Sequence, residues 1–260
     1  MAFIPISDDP GDRRSFPFVN YALILANIAV FVYELVKGTD FTNCLTQAYA
    51  LVPDDIVHGT MHATGCSIAE PSPVYITLLS AMFLHAGLLH IGGNMVYLWA
   101  FGDNVEDRLG HFWYLIFYLI CGLAASAAQI TFSEIAGQGN ELNLGASGAI
   151  AGVLAAYLVF FPGSKVRTII FVGIFVTLAR LSAFIVIGFF ILLQLLDAFT
   201  EIMNITNGQV SSGGGVAFFA HIGGFLFGLI IALIVKLAGG GRKPAASYPS
   251  WPMHPALRSR

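Results

Sequence analysis

Four polar residues lie inside long apolar runs, and together they have the chemistry for hydrolysis. Ser147 begins one run and His221 lies near the start of another. His90 and Asn94 lie four residues apart in a third run, so both project from one helix face. An imidazole beside a hydroxyl activates a serine nucleophile, and N–H donors can hold the oxyanion that forms. An ionisable or amide side chain within a membrane span is costly and by default marks a functional site.

Each of these residues also has an ordinary structural explanation. A histidine in a helix bundle often bonds only a neighbouring carbonyl, and Asn94 could join two helices. Ser147 could simply cap the helix that it begins. The functional interpretation is favoured because all four residues lie near the outer ends of their predicted membrane spans, in the topology derived below. Independent packing roles would not require that coincidence.

The composition is that of a membrane protein. Of 260 residues, 57% are hydrophobic and only 10% are charged, with a mean hydropathy of +0.77. A soluble domain of this size could not cover its surface with so few charges. The net charge of −3 and the lack of a basic block argue against nucleic-acid binding. The first apolar run follows a stretch with charges of both signs and has no small-residue cleavage site, so it is predicted to be a retained anchor.

The apolar runs predict an all-α membrane protein with six transmembrane helices. Crossing the hydrocarbon core takes about 20 apolar residues. The predicted spans cover residues 16–36, 86–101, 111–132, 147–161, 181–199 and 216–237. Residues 74–84 and 168–179 are apolar but too short to cross, so they are predicted to be interfacial or re-entrant. A cytoplasmic segment of residues 1–15 and a disordered cytoplasmic tail of residues 238–260 flank the six-span domain of residues 16–237.

The basic residues predict how the spans are oriented. With the N-terminus inside, eleven of the twelve Lys and Arg residues lie on the inner side, and only Lys37 lies outside. The eleven are Arg13, Arg14, Arg108, Lys165, Arg167, Arg180, Lys236, Arg242, Lys243, Arg258 and Arg260. The positive-inside rule requires this asymmetry, and counting residues 168–179 as a seventh span would destroy it. The four polar residues are thereby predicted to open to the extracytoplasmic side.

Ser147 is predicted to lie below the outer membrane surface, within reach of His221. At about 1.5 Å per residue, residues 147–161 cover roughly 21 Å of a hydrocarbon core about 30 Å thick. The preceding chain must then dip into the membrane. Irregular backbone is tolerated at that depth only where it lines a water-filled cavity enclosed by protein. Small residues at four-residue spacing let the fourth and sixth spans pack closely. They are Gly148, Gly152 and Ala156 in the fourth span and Ala220, Gly224 and Gly228 in the sixth.

The cysteines Cys44, Cys66 and Cys121 lack the spacing of a metal site. Cys44 and Cys66 fall in one loop, residues 38–73, which the predicted topology places outside. They could pair if that loop faces an oxidising compartment, and two free thiols are the alternative.

Four short motifs occur together in this chain. They are His85-x4-His90-x3-Asn94, Gly145-Ala146-Ser147-Gly148, Ala220-His221-Ile222-Gly223-Gly224 and an inner turn at residues 101–108. Jointly they resemble the rhomboid family of intramembrane serine proteases, over about residues 74–237. The resemblance implies a dyad of Ser147 and His221, with the oxyanion held by the Ser147 backbone N–H and the side chains of His90 and Asn94. It also implies that His85 orders water or the cavity mouth, and that Gly145 and Gly148 support the site.

The same resemblance implies that the reaction needs no cofactor and no metal. The expected partners are the lipid bilayer and transmembrane protein substrates with small, helix-destabilising residues near the cut. The fifth span and the loop of residues 208–215 match the family's proposed gate and cap. The expected location is the cell membrane, which in a bacterium is the cytoplasmic membrane. Two features depart from the family: Ala151 replaces a Tyr that in some members stacks on the catalytic histidine, and the loop of residues 38–73 has no Trp.

Three other functions compete with proteolysis by a serine. A membrane metalloprotease would carry His-Glu-x-x-His, which does not occur in the sequence. A transporter or channel would place charges at mid-membrane, whereas Asp197 lies toward the outer end of its predicted span. The third alternative is a catalytically inactive rhomboid-like protein that binds membrane clients. Such relatives lack the serine or the histidine, and this chain has both.

Overall fold

The chain is mostly helical. The computed structural model describes residues 2–8, 15–62, 64–173, 175–206 and 218–241. The helices are α1 (Phe18–Lys37), α2 (Thr39–Tyr49), α3 (Pro53–His58), α4 (Thr77–Ser80), α5 (Leu88–Leu109), α6 (His111–Ala136), α7 (Ser147–Phe160), α8 (Ala183–Thr206) and α9 (Phe218–Leu237). The strands are β1 (Ala2–Asp8), β2 (Lys165–Val172) and β3 (Phe175–Ser182). The predicted cap loop and the tail beyond residue 241 lie outside the described residues, as do Arg13 and Arg14.

Several helices have the length and composition of membrane spans. Among the described residues, α1, α6, α8 and α9 are each long and apolar enough to cross a membrane. A fifth crossing results if residues Val74–Phe83 and α5 form one span, which is bent by 80°. α7 is apolar but has only 14 residues. Each of the six predicted spans therefore falls on one of these helices, while the number six stays a prediction.

The predicted inner turn at residues 101–108 is wrong, because those residues form the end of α5. Their polar groups are satisfied inside the protein. The buried carboxylate of Glu106 accepts the backbone N–H groups of Val19 and Asn20, at 3.1 and 2.7 Å. These N–H groups lie in the first turn of α1 and have no acceptor within the helix. A negative charge at this position accepts their hydrogen bonds and interacts favourably with the helix dipole. The chain reverses only after α5, at Gly110, whose φ of +83° suits glycine.

The predicted all-α architecture is wrong in one respect, since the structure contains a three-stranded antiparallel sheet in the order β1-β2-β3. Residues 168–179, predicted to be interfacial or re-entrant, form most of the β2–β3 hairpin. β-Branched and aromatic side chains dominate that stretch and favour a strand over a helix. β1 comes from the segment of residues 1–15, for which no element was predicted. It pairs with β2 from Ala2↔Phe171 to Asp8↔Val166.

α7 and α9 pack with their backbones in contact, which confirms the close packing predicted from the small residues. A Cβ atom added to Gly224 would lie 2.0 Å from the carbonyl oxygen of Gly148. One added to Gly228 would lie 2.5 Å from the Cα atom of Gly152. Real side chains do not approach a backbone so closely, so only glycine fits at Gly224 and Gly228. The contact holds the start of α7, with the candidate serine, beside the start of α9, with the candidate histidine.

Cys44, in α2, forms a disulfide with Cys66. Of the two possibilities open from the sequence, the structure shows the bonded pair. Replacing Cys66 by alanine is expected to abolish the mobility difference between reduced and non-reduced protein on a denaturing gel, because the closed loop is then opened. Cys121 is buried and free, so Cys121→Ala serves as the control and should keep the difference. A non-reduced mobility that Cys66→Ala leaves unchanged would count against the bond.

Candidate active site

Ser147 and His221 meet across the contact of α7 with α9. The Nε2 atom of His221 lies 2.6 Å from the Oγ atom of Ser147, so the hydroxyl can donate its hydrogen to the ring. His221 is only 4% exposed, whereas Ser147 is partly exposed. The imidazole is therefore more deeply buried than the hydroxyl, and both lie at the cavity described below. A serine nucleophile and its general base require such a hydrogen-bond distance between the hydroxyl and the ring nitrogen.

The chain leading into α7 follows a path that favours glycine. Gly145 has a φ of +122°, and its N–H donates to the carbonyl oxygen of Ala81 at 2.8 Å. Ser147, two residues later, is the first residue of α7. The first N–H groups of a helix have no acceptor within it. The backbone N–H groups of Ser147 and Gly148 are therefore suited to bind an anion at this helix terminus.

α5 presents His90 and Asn94 to the same space, one helical turn apart. A Cβ atom added to Gly145 would lie 2.8 Å from Nε2 of His90 and 3.7 Å from the amide nitrogen of Asn94. The Nδ1 atom of His90 accepts the backbone N–H of Ala86 at 3.3 Å, which leaves the hydrogen of the neutral ring on Nε2. The amide nitrogen of Asn94 is buried and has no acceptor among the described residues. Two side-chain donors therefore converge beside the chain that leads into Ser147.

His85 lies behind His90 rather than in the cavity wall. The two rings meet edge to face, with 5.1 Å between their centroids, and His85 is only 4% exposed. Of the described residues, His90 lines the cavity and His85 does not. In the structure His85 therefore contacts His90 rather than lining this cavity, and its predicted role in ordering water or the cavity mouth stays a prediction.

Sequence reasoning missed Gln194, which α8 brings to the site. Its side-chain oxygen lies 2.5 Å from Nδ1 of His221, the ring nitrogen that faces away from Ser147. The ring of Phe190, one turn earlier on α8, also packs near this imidazole, with 5.8 Å between ring centroids. The sequence did carry a signal for Gln194. An amide inside an apolar run is the feature that singled out Asn94, and the same rule applies here.

A cavity of about 630 Å³ opens over these groups. Residues of α5, α7, α8 and α9 and of the loop before α7 form its wall. Polar side chains in the wall include those of His90, Asn94, Ser147, Gln194 and His221. The volume lies within the range of roughly 300–1,000 Å³ that is typical of ligand-binding pockets. The cavity is therefore large enough to admit a ligand to the Ser147 hydroxyl.

Residues 73–237 match the model of the Rhomboid domain, which covers more than half of the chain. The chain belongs to the rhomboid family. With its apolar helices, this rhomboid is a multi-pass membrane protein. The family includes relatives named as serine proteases, such as Rhomboid-type serine protease 2 of Emericella nidulans.

Three relatives show how far the similarity of this rhomboid extends. It is 29% identical to Rhomboid protein 1, mitochondrial, of Saccharomyces cerevisiae over 58% of this chain and 39% of the relative. It is 38% identical to Rhomboid protease GluP of Bacillus subtilis over 31% of this chain and 15% of the relative. It is 26% identical to RHOMBOID-like protein 4 of Arabidopsis thaliana over 86% of this chain and 54% of the relative. The match thus spans little more than half of the Arabidopsis relative and less of the other two.

Proposed function

We propose that this rhomboid is an intramembrane serine endopeptidase that hydrolyses peptide bonds in or near transmembrane segments of other membrane proteins. One observation carries the proposal, the 2.6 Å contact between Oγ of Ser147 and Nε2 of His221 within a bundle of apolar helices. Relatives named as proteases in Bacillus subtilis and Emericella nidulans support it. The alternative is a catalytically inactive rhomboid that binds membrane clients, a role that would not require the hydroxyl and the imidazole to meet.

In the proposed reaction, His221 takes the proton of Ser147 as Oγ attacks the carbonyl carbon of the substrate. The negative charge develops on the former carbonyl oxygen. The backbone N–H of Ser147 and the side-chain donors of His90 and Asn94 hold that oxyanion. His221 then gives its proton to the leaving amine, and an acyl ester remains on Ser147. A water molecule then attacks the acyl carbon while His221 takes its proton. His221 returns that proton to Oγ as the ester bond breaks, which restores the hydroxyl.

The basic residues support an active site that opens to the extracytoplasmic side of the cell membrane. Arg108 and Lys236 lie at the ends of α5 and α9 that are remote from the dyad. Lys165 and Arg180 lie near the base of the β2–β3 hairpin, which follows the inner end of α7. The positive-inside rule favours a topology in which these helix ends, the base of the hairpin and both chain termini lie on the cytoplasmic side. The dyad then faces the opposite side, near the outer ends of α7 and α9.

Replacing Asn94 by alanine is expected to lower kcat by roughly 10²- to 10³-fold, the usual loss when one oxyanion donor is removed. KM should change little, because the donor acts on the charge that develops in the transition state rather than on the bound substrate. Steady-state kinetics with a purified single-span substrate in detergent measure both quantities. A rise in KM with kcat unchanged would assign Asn94 to substrate binding instead.

The most direct test of the proposed function is a serine-directed fluorophosphonate probe applied to the purified protein in detergent. The expected result is covalent labelling at Ser147, located by mass spectrometry of the digested protein, together with cleavage of a single-span substrate. Folded protein that neither reacts with the probe nor cleaves the substrate would favour the inactive, client-binding alternative. Labelling at another serine would place the nucleophile elsewhere.

A further inference from the structure

We propose that Gln194 is a positioning residue that fixes the tautomer and the orientation of His221. It would take the place that an aspartate holds in a Ser-His-Asp triad. The inference rests on the proposed function, because it assigns a role in that reaction to a residue outside the dyad.

The hydrogen bonds at His221 assign a role to each ring nitrogen. The side-chain oxygen of Gln194 can only accept a hydrogen bond, so the ring nitrogen 2.5 Å from it, Nδ1, must carry the hydrogen. In a neutral ring, Nε2 then presents its lone pair to Ser147, whose Oγ lies 2.6 Å away. This is the tautomer that a general base needs. The opposite tautomer would point an N–H at the serine hydroxyl and could not take its proton.

The surroundings of Gln194 and His221 favour one fixed orientation of the imidazole. It is 8% exposed and His221 is 4% exposed, so water does not compete freely for either group. Phe190 lies one turn earlier on the same face of α8 and packs near the imidazole. The ring of Phe190 also packs against that of Tyr97 on α5, with 5.5 Å between their centroids. Rotation of the imidazole is therefore restricted by a hydrogen bond and by a ring from the same helix.

The support for His221 comes from α8 rather than from α7. The residue four positions after the serine is Ala151, which is fully buried and carries only a methyl group. Among the described residues, no carboxylate forms a hydrogen bond with His221, whose ring nitrogens contact Gln194 and Ser147. An amide orients the ring without placing a charge inside an apolar bundle, where charges are costly. Cys-His-Asn proteases use an amide beside the histidine in the same way.

Two substitutions separate positioning from packing. Gln194→Leu keeps about the same volume but has no acceptor, so kcat should fall by roughly 10²- to 10³-fold while KM changes by less than about threefold. Gln194→Glu presents an acceptor oxygen whether or not it is ionised, so its kcat should lie within about tenfold of the wild-type value. The rate of fluorophosphonate labelling at Ser147 should likewise fall in Gln194→Leu and stay near the wild-type rate in Gln194→Glu. A merely structural role would not produce this split between kcat and KM or the rescue by glutamate.

Gln129→Leu is the matched control. Gln129 has the same residue type and the same 8% exposure, and its side-chain oxygen accepts the N–H of Ala220, the neighbour of His221, at 3.2 Å. It should lower the melting temperature without lowering kcat by more than about fivefold, because it leaves the imidazole bonded. Equal losses of kcat in Gln194→Leu and Gln129→Leu, or unchanged kcat in Gln194→Leu, would overturn the role of Gln194 alone. A wild-type protein without cleavage or labelling would instead overturn the proposed function, and the inference with it.

Discussion

Cleavage of a co-expressed single-span substrate is expected to disappear when Ser147 is replaced by alanine, and equally when His221 is. The first change removes the oxygen that forms the acyl bond, and the second leaves a weakly nucleophilic hydroxyl without a base. Residues of such a catalytic unit act together, so each single change should lower kcat by roughly 10⁴- to 10⁶-fold. For the same reason, the double variant should be no slower than the slower single variant. Immunoblots of the substrate and single-turnover kinetics on purified protein measure the loss.

The controls for this prediction must show that the fold survives. Ser133→Ala changes a buried serine of α6, and His58→Ala changes an exposed histidine of α3, both away from the cavity wall. Both variants should cleave the substrate at the wild-type rate. The melting temperatures of the two dyad variants should also stay close to the wild-type value. Cleavage retained by either dyad variant would contradict the proposed catalytic pair.

The sequence was most informative where the bilayer constrains it. A serine at the start of a short apolar run and a histidine inside another are costly in lipid, which is why they stand out. Glycines at four-residue spacing beside both residues predicted that α7 and α9 pack closely, and the backbone contact at Gly224 confirms it. These features are local, since each depends on residues within a few turns of one helix.

Features that depend on distant partners were not predictable in the same way. β1 pairs with β2 across more than 150 residues of chain, from Ala2↔Phe171 onward, and nothing in the first residues indicates that partner. Length and the positive-inside rule excluded residues 168–179 as a span, yet neither could distinguish an interfacial segment from a hairpin. Gln194 is visible as an amide in an apolar run, but the sequence does not say that this face of α8 meets His221. Only the packing of α8 against α9 makes that amide part of the site.

Gly224→Ala is expected to remove most of the activity by adding a single methyl group. The added Cβ atom would lie 2.0 Å from the carbonyl oxygen of Gly148, and neither side can yield, because both groups belong to helix backbones. α9 must then move away from α7, and His221 moves with it. Displacing a reacting group by about 1 Å can cost about 10²-fold in rate, so kcat/KM should fall by roughly 10²-fold or more. Fluorophosphonate labelling of Ser147 should slow by a similar factor, since the hydroxyl loses its base.

Gly188→Ala on α8 distinguishes this steric effect from a general intolerance of alanine. A Cβ atom added to Gly188 meets nothing within 4 Å, and alanine is favoured over glycine in a helix by roughly 0.5–1 kcal/mol. Gly188→Ala should therefore keep wild-type activity and a melting temperature at or above that of the wild type. If Gly224→Ala behaved like Gly188→Ala, α7 and α9 could not be in backbone contact. The short distance between Ser147 and His221 would then lack its physical cause, because the two glycine faces are what allow these helices to approach so closely.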